Sequence, residues 1–352
     1  MASLHIAIVQ EPAFENSIWS EAYMKGISME SASQGIKKEN DKDAVTLLIG
    51  STPSWLLETG EEFRRQEKQV ILIGPDIPEA DGLSSVAIDY QDAMGTIMSY
   101  FRQYHRSKSA LLGVNPSSLS DNTKRIWYER NVTEGNMYPN DGNAEACCRR
   151  FLSDRNHFDS VICCTDFIAI TLLLELRKTM DCKVPEDLWL ISFGDTTLGT
   201  LWKPSLSSFT CDYRQVGRLA VKMAMSLGKN KEIHKASWTT CGKLLIRETT
   251  ASSPFLASDE SKTESAPHSA DVFYQDKTIS RIQVAEQLFS HLDTQDFHIL
   301  QGLQEKSRYE DLADRCNMSE NTLKYRIKRM ESLSKTTTRD CLLEFVEPYL
   351  IP

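Results

Sequence analysis

Long uninterrupted apolar segments are missing from this sequence. Every candidate run is interrupted by Lys, Arg, Asp or Glu well before the roughly 20 residues that a membrane-spanning helix needs. The first ten residues contain no Lys or Arg, and their apolar run is too short for the core of a signal peptide. We therefore expect a soluble, cytoplasmic protein with no membrane partner.

Metal-binding and catalytic motifs are missing as well. The nine cysteines include the neighbours Cys147-Cys148 and Cys163-Cys164 but no C-x-x-C pair, so neither a zinc site nor a redox motif is indicated. The sequence has no G-x-S-x-G, P-loop or G-x-G-x-x-G motif, and its few histidines do not cluster. We expect no metal, no cofactor and no enzymatic activity, with an enzyme built on an α/β core as a weaker alternative.

A net positive charge is also absent. The 40 Lys and Arg residues are outnumbered by 49 Asp and Glu residues, which gives a formal charge of -9. The protein surface as a whole therefore does not attract polyanions, and any contact with nucleic acid must be confined to a local basic patch. The length of 352 residues and the 41% apolar content are ordinary for a globular protein of two or three domains.

Most of the chain alternates short apolar runs with longer segments of helical period. The predicted strands cover residues 5–9, 44–49, 70–73, 86–88, 110–114, 160–164 and 189–193, and the helices between them cover residues 18–33, 55–66, 93–106, 122–130 and 167–180. The strands are apolar on both faces, which is typical of parallel sheets covered by helices on both sides. The pattern predicts an α/β fold with largely parallel sheets.

The alternation stops before the last hundred residues. Residues 251–278 are polar and rich in Ser, Ala, Asp, Glu and Pro, which predicts a linker. Residues 279–352 have helical period only and predict a small all-α domain. The expected organisation is thus a ligand-binding domain at residues 1–250, the linker, and a helical domain at residues 279–352.

Candidate effector-binding residues follow the predicted strands. Ligands of parallel sheets bind at the carboxyl ends of the strands, where loops and helix N-termini converge. The candidates that follow strands are Phe14, Trp19, Trp55, Asp89, Asp166 and Asp195. Aromatic faces combined with carboxylates suit a small polar ligand such as a sugar or a nucleobase. For Asp166, capping of the following helix is the common alternative role.

Several segments in order resemble the effector-binding core of the LacI/GalR repressors. The resemblance covers residues 5–249 and is carried by residues 164–170, 184–195, 204–209, 216–220 and 246–249. It implies a periplasmic-binding-protein-like fold, in which two α/β subdomains close on a small ligand. It also implies that Arg125 contacts the effector, although Arg125 as an ordinary surface cation is the alternative. Gly194 stands where that family has an effector-clamping Asp, and Asp195 is retained.

That family carries its DNA-binding helices ahead of the core. This sequence begins directly with the first predicted strand. We therefore expect the usual N-terminal DNA-binding domain to be lacking, and a DNA-binding element to be elsewhere or absent.

The helical domain contains the sequence form of a helix-turn-helix. A helix carrying Leu312 is followed by a three- or four-residue turn and by a second helix that Ser319 can cap. Leu323, Ile327 and Met330 recur at helical spacing on the second helix and must face the core.

The opposite face of the second helix has the chemistry for reading a DNA groove. It carries Asn321, Lys324, Tyr325 and Lys328, with Arg329 beside them. Cations bind phosphates and guanine edges, whereas amides bind adenine. Between Lys324 and Arg339 the sequence has six cations and one acid, although a solvated charged face is the alternative.

The same region resembles the LuxR/GerE-type helix-turn-helix. The residues that match its S-x-x-T-V-K core and a later Arg are Ser319, Thr322, Leu323, Lys324 and Arg339. The resemblance implies that Lys324, Tyr325 and Lys328 face DNA.

Together these patterns predict a transcription regulator in which a small-molecule-sensing core controls a C-terminal helix-turn-helix. The expected partners are double-stranded DNA, a sugar or other small polar metabolite, and a second copy of the chain in a homodimer. The alternative is a ligand-binding protein whose helical tail docks a protein partner.

Overall fold

The computed structural model describes residues 4–15, 17–38, 44–74, 77, 82–179, 182–230, 232–250 and 271–350. The strands in these ranges are β1 His5–Gln10, β2 Lys37–Lys38, β3 Val45–Ile49, β4 Val70–Gly74, β5 Ser84–Ile88, β6 Ser109–Val114, β7 Asn136–Pro139, β8 Ser160–Cys163, β9 Trp189–Phe193, β10 Ser207–Thr210, β11 Ser237–Thr240 and β12 Lys243–Leu245.

The helices of the first 250 residues are α1 Ile18–Gln34, α2 Pro53–Arg65, α3 Tyr90–Gln103, α4 Leu119–Asn131, α5 Ala144–Asp154, α6 Asp166–Thr179, α7 Thr197–Leu201 and α8 Tyr213–Lys229. The helices that follow are α9 Val272–Gln275, α10 Lys277–Ser290, α11 Thr294–Gln304, α12 Tyr309–Arg315, α13 Glu320–Leu333 and α14 Arg339–Val346.

The strands form two six-stranded sheets, one in each subdomain of the core. The N-terminal sheet has the order β11-β5-β4-β3-β1-β2 and is parallel throughout, and the C-terminal sheet has the order β12-β10-β9-β8-β6-β7. Only β12 runs antiparallel to its neighbour among these strands. The predicted α/β class with largely parallel sheets is confirmed.

Burial explains why these segments become strands. Every residue of β3, β4, β5, β6 and β8 is buried, because helices cover both faces of each sheet. Strands in that position gain stability from apolar side chains on both faces, which is the pattern that the sequence carries.

The chain passes between the two subdomains three times. It leaves the N-terminal sheet after β5, returns after β10 through α8, and leaves again between β11 and β12. Each subdomain is therefore built from separate stretches of sequence. The cleft between the sheets lies at the carboxyl ends of their parallel strands, where a ligand is expected.

The C-terminal helices pack onto the C-terminal subdomain. Helix α10 contacts α5, α6 and α7 of the core and also α13 of its own domain. The buried side chains of the helical domain form one continuous apolar cluster with those of the C-terminal subdomain, including a ring contact between Trp202 and Tyr349. The helical domain is thus packed directly against the core through a shared apolar interface.

The predicted linker is partly helical. Residues 251–270 lie outside the described residues, whereas residues 271–278 form α9 and the first turn of α10. The prediction of a linker up to residue 278 was therefore wrong at its C-terminal end, because the Asp271 and Asp276 side chains cap α9 and α10. Among the helices that the structure describes, none is long and apolar enough to cross a membrane.

Candidate effector pocket and DNA-reading helix

A pocket with a volume of about 140 Å³ lies in the cleft between the two subdomains. Its wall is rich in aromatic rings, with hydroxyl, amide and charged groups among them. The aromatic members are Phe14, Trp19, Tyr23, Tyr90, Phe167, Phe193, Tyr213, Phe273 and Tyr274, and the charged members are Asp121, Lys124, Asp166 and Glu286. Such a wall can cover the faces of a small ring while polar groups orient its substituents.

Two of the aromatic candidates from the sequence, Phe14 and Trp19, line this pocket. Their ring centroids are 5.5 Å apart, and Trp19 also contacts Tyr23 edge-on. The Pro12–Phe14 turn and the first turn of α1 present these rings to the cleft directly after β1. Their role in effector binding stays a prediction.

A buried ion pair of α4 forms part of the pocket wall. Lys124 Nζ donates to Asp121 Oδ1 at 2.8 Å and to the Cys164 carbonyl at 3.0 Å, and the Lys124 side chain is only 3% exposed. The same amine lies 4.9 Å from the Tyr90 ring centre and 4.3 Å from the Phe193 ring centre. The ion pair and the cation–π contacts together compensate the loss of hydration of the lysine.

Arg125, the arginine predicted for this pocket, lies outside it. Its Nη1 forms an ion pair with Glu129 one turn further along α4 at 2.8 Å, and its side chain is 37% exposed. Arg125 points away from the pocket that its neighbour lines, because a single step along a helix rotates a side chain by about 100°. Lys124, which the sequence analysis did not select, occupies the pocket position.

Asp166 lies in the pocket wall but its carboxylate is occupied by protein donors. Oδ1 accepts from the Ser192 and Ser208 hydroxyls, and Oδ2 accepts from the backbone N–H and the hydroxyl of Thr196. Burial raises the pKa of Asp166, while these hydrogen bonds act in the opposite direction. The expectation that Asp166 caps α6 was wrong, because the Thr165 hydroxyl accepts the Ile168 N–H instead.

Gly194 places no carboxylate in this pocket at the position where the resembled family has its effector-clamping Asp. Gly194 has a φ of +139°, and a Cβ on it would lie 3.3 Å from Asp166 Oδ2. A larger side chain there would be strained and would crowd the carboxylate. Asp195 does not line the pocket and forms an ion pair with Arg247 at 2.5 Å. Its effector contact stays a prediction that this geometry does not support.

Trp55 and Asp89 are also outside the pocket. Trp55, in the first turn of α2, packs against the small apolar cluster formed largely by the N-terminal subdomain. Asp89 caps α3, since its Oδ1 accepts the Asp92 N–H at 2.9 Å. The next residue, Tyr90, points into the pocket in its place.

The tyrosine hydroxyls of the pocket are neutral hydrogen-bonding groups. Burial raises the pKa values of Tyr23, Tyr90 and Tyr213 above the usual tyrosine value, with neighbouring groups adding to the effect. A buried neutral hydroxyl can donate or accept a hydrogen bond, which suits a hydroxylated or amide ligand.

Three pocket residues come from beyond residue 270. Phe273 and Tyr274 of α9 and Glu286 of α10 line the cavity together with the core residues. Glu286 is 1% exposed, and its carboxylate accepts the N–H groups of Thr197 and Leu198 at 2.9 and 2.6 Å. No sequence pattern pointed to these residues, because they follow the predicted linker and not a strand of the core.

The second candidate site is the helix-turn-helix formed by α12 and α13. Four residues separate the two helices, and Asn317 in the turn has a φ of +51°. Ser319 caps α13 by accepting the Thr322 N–H at 3.2 Å, as predicted. Leu323, Ile327 and Met330 are 0%, 3% and 1% exposed, which confirms the predicted inward face.

The outward face of α13 is exposed to solvent. We call Asn321, Lys324, Tyr325 and Lys328 the reading face; all four are exposed, and Tyr325 is 71% exposed despite its large ring. Lys324 pairs with Glu320 one turn away at 2.7 Å, in a pair that is about half exposed on each side. Exposed pairs of this kind are weak and exchange readily for other anions.

The remaining cations of this region differ in their availability. Arg326 is 20% exposed and binds Asp293 and the buried Asp296 at the start of α11. Arg329 is exposed, but its Nη2 donates to the His291 carbonyl at 2.6 Å. Arg326 therefore holds α13 against the start of α11, and Arg329 holds it against the end of α10. Both contacts reduce the cation patch that the sequence predicted.

The other candidates for DNA contact lie at the ends of α13 and α14. Ser319 and Thr322 are exposed at the N-terminus of α13, and their hydroxyl oxygens are 2.9 Å apart. Arg339 is exposed at the start of α14 beside Asp340 at 3.1 Å. Their contact with DNA, like that of the reading face and of Arg329, stays a prediction. Within the described ranges, no group of three or more His, Cys, Asp or Glu side chains could hold a metal ion.

Two family profiles match this chain in agreement with its architecture. A periplasmic binding protein-like domain matches residues 117–250, and a winged helix-turn-helix DNA-binding domain matches residues 292–333. The second profile is winged rather than of the LuxR/GerE type. Residues 271–350, all of which are described, form helices and contain no strand.

Relatives and solved structures with a similar fold are transcription regulators with a ligand-binding core. The chain is similar to the HTH-type transcriptional repressor PurR of Vibrio vulnificus (strain CMCP6), with 22% identity over 252 residues that cover 66% of this chain and 75% of that repressor. A LacI family transcriptional regulator from Arthrobacter sp. FB24 in complex with lactose has a TM-score of 0.55 and 18% identity, covering 71% of this chain and 100% of that one.

A LacI family transcriptional regulator from Enterococcus faecium with bound ribose has a TM-score of 0.56 and 14% identity, covering 72% of this chain and 100% of that one. The protein therefore combines a periplasmic-binding-protein-like ligand-binding core with a C-terminal helix-turn-helix DNA-binding domain. Its relatives are transcription regulators rather than enzymes.

Proposed function

We propose that this protein is a cytoplasmic, non-enzymatic transcription regulator that binds double-stranded DNA through the reading face of α13. The observation that carries the proposal is the exposure of Lys324, Tyr325 and Lys328 on a helix whose opposite side is fully packed. Lysines can bind phosphates there, while the amide of Asn321 and the phenol of Tyr325 can reach base edges.

The effector is a small polar molecule of about the size of a monosaccharide. A cavity of about 140 Å³ walled by aromatic rings and neutral hydroxyls supports this class. Two solved structures of similar fold contain lactose and ribose. Gly194 stands where the LacI/GalR repressors have an effector-clamping Asp, so we expect a ligand with a different pattern of hydroxyl groups.

The protein acts as a homodimer on a two-fold operator. A single helix-turn-helix contacts one half-site, and two-fold pairing of half-sites one helical turn apart is the usual way to gain specificity. The DNA-binding module is of the LuxR/GerE type, which is supported by its all-helical form and by Ser319, Thr322 and Lys324 at the matching positions.

Footprinting on genomic fragments tests the DNA-binding function. The unaltered chain should protect a defined site, and Lys324→Ala with Lys328→Ala should lose that protection at the same protein concentration. The matched control is Lys222→Ala with Lys229→Ala, which removes two exposed lysines from α8 of the core. Equal protection by both double variants would exclude the reading face, and no protected site at all would favour a protein partner for the helical domain.

A further inference from the structure

Helix α9 forms part of the wall of the effector pocket although it leads into the DNA-binding helices. Phe273 is 5% exposed and Tyr274 is partly buried, and both rings line the cavity. Other contacts already attach the helical domain to the C-terminal subdomain. Helix α10 packs against α5, α6 and α7, and the residues after α14 contact Arg177 and Trp202.

The contacts of α9 reach both subdomains. The Tyr274 side chain lies beside Trp19 of α1 in the pocket wall, and Trp19 belongs to the N-terminal subdomain. On the other side, the Asn115 amide donates to Asp271 Oδ1 at 3.2 Å, and Asn115 follows β6 of the C-terminal subdomain. Opening or closing of the cleft must therefore change at least one of these two contacts.

Helix α10, which follows α9, also contributes a side chain to the pocket wall. Its Glu286 lines the pocket and accepts the two N–H groups at the start of α7, so α10 is tied to the β9–α7 loop at the carboxyl end of a core strand. The same helix packs against α13. One helix thus contacts the wall of the pocket and the helix that carries the reading face.

Resting on the sensor function proposed above, we infer that the effector is bound jointly by the core and the C-terminal module. Phe273, Tyr274 and Glu286 complete a binding site for a small polar ring compound, with Tyr274 as the specificity-determining residue. The ligand contacts α9 and the base of α10 directly, so its presence is transmitted to α13 through one helix instead of through subdomain closure alone.

Ligand binding by substituted chains tests this joint site. Melting temperature and calorimetric affinity are measured for the full chain with D-ribose, D-glucose, lactose and adenine, each tested alone. Tyr274→Ala should weaken the binding of a stabilising compound at least tenfold, and Tyr274→Phe should weaken it less. Val272→Ala is the matched control, because Val272 lies on the same helix, is 63% exposed and does not line the pocket.

Unchanged affinity in Tyr274→Ala for a compound that stabilises the unaltered chain would overturn the joint site and leave the sensor function standing. If none of the four compounds stabilises the unaltered chain, the proposed sensor function fails for this ligand class. A measurement without ligand then tests whether α9 connects the two subdomains.

That measurement is hydrogen exchange of peptides covering residues 17–25 and 271–276 without ligand. Tyr274→Ala should speed exchange at the start of α1, across the cleft, by at least threefold, whereas Val272→Ala should not. Unchanged exchange at the start of α1 in Tyr274→Ala would show that α9 does not connect the subdomains and would overturn the inference.

Discussion

Helices α4 and α13 both carry several cations, and they use them in opposite ways. In α4, Lys124 is buried against Asp121 and two aromatic rings, while the neighbouring Arg125 lies at the surface. In α13, Lys324 and Lys328 are exposed, while Arg326 is held by two carboxylates. Whether the residue is a lysine or an arginine therefore does not decide its role. A cation stabilises the fold when side chains around it bury and pair it, and it can bind a partner when it stays exposed.

The largest expected effect is on the buried ion pair of α4. Lys124→Ala leaves the Asp121 carboxylate buried without its cation and should lower the free energy of unfolding by about 3–5 kcal/mol. Urea unfolding at pH 7 measures this difference. Arg125→Ala is the matched control and should change the same quantity by less than about 0.5 kcal/mol, because its ion pair is exposed.

The double substitution Asp121→Asn with Lys124→Met sharpens that result. It removes both charges and keeps similar side-chain volumes, so it should recover much of the stability that Lys124→Ala loses. Equal losses for Lys124→Ala and Arg125→Ala would contradict the difference between the two α4 cations.

The next effect is a pH dependence carried by Glu286. Burial raises its pKa from 4.5 to about 7, with the nearby Asp166 carboxylate adding to the shift and the N–H groups of Thr197 and Leu198 opposing it. A raised pKa means that the folded state binds the proton more tightly, so stability is highest below pH 4.5 and declines as the pH rises through about 7. Between those limits the free energy of unfolding should fall by up to about 3 kcal/mol.

Glu286→Gln should remove this decline, since glutamine does not titrate. Urea unfolding of both chains from pH 4.5 to 8 is the measurement. Glu344→Gln, at an exposed position of α14, is the control and should keep the pH dependence of the unaltered chain. The same slope in all three chains would mean that another group titrates in this range.

A smaller effect separates the cations of α13. Arg326→Ala should lower the free energy of unfolding by about 1–3 kcal/mol, because Asp296 is 1% exposed and loses its closest cation. Lys328→Ala should change it by less than about 0.5 kcal/mol. Thermal unfolding of both variants checks the contrast, and a larger loss in Lys328→Ala would place that lysine in the fold rather than on the reading face.

Strands and inward helix faces were predictable from the sequence, because their signal is local. The continuous apolar runs at residues 44–49, 70–73 and 110–114 coincide with buried strands. The spacing of Leu323, Ile327 and Met330 likewise gave the packed side of α13. In both cases the positions of the apolar residues along the sequence match the positions that are buried in the structure.

Pocket residues were harder to predict because they lie in the first turns of helices. The helices predicted to begin at residues 93 and 122 begin three residues earlier in the structure, at Tyr90 and Leu119. The first turns that the prediction missed carry Tyr90 and Asp121, and the cap of α4 directly precedes the second of them. First turns are polar and lack the apolar period, so periodicity does not detect them.

The contribution of α9 could not be predicted from local pattern at all. Nothing in residues 271–276 indicates that Tyr274 lines the same pocket as Trp19, which comes from the opposite end of the chain. Such a contact depends on how two domains pack, which no periodicity within either domain encodes.

The salt dependence of DNA affinity is the most direct test of the claim that the cations of α13 bind phosphates. The logarithm of the binding constant should fall linearly with the logarithm of salt concentration for the unaltered chain. Lys324→Ala with Lys328→Ala should make that slope shallower by about 2 for each copy of α13 on the DNA, since each lysine releases about one counterion. A slope that is the same in the double variant and in the unaltered chain would contradict the account.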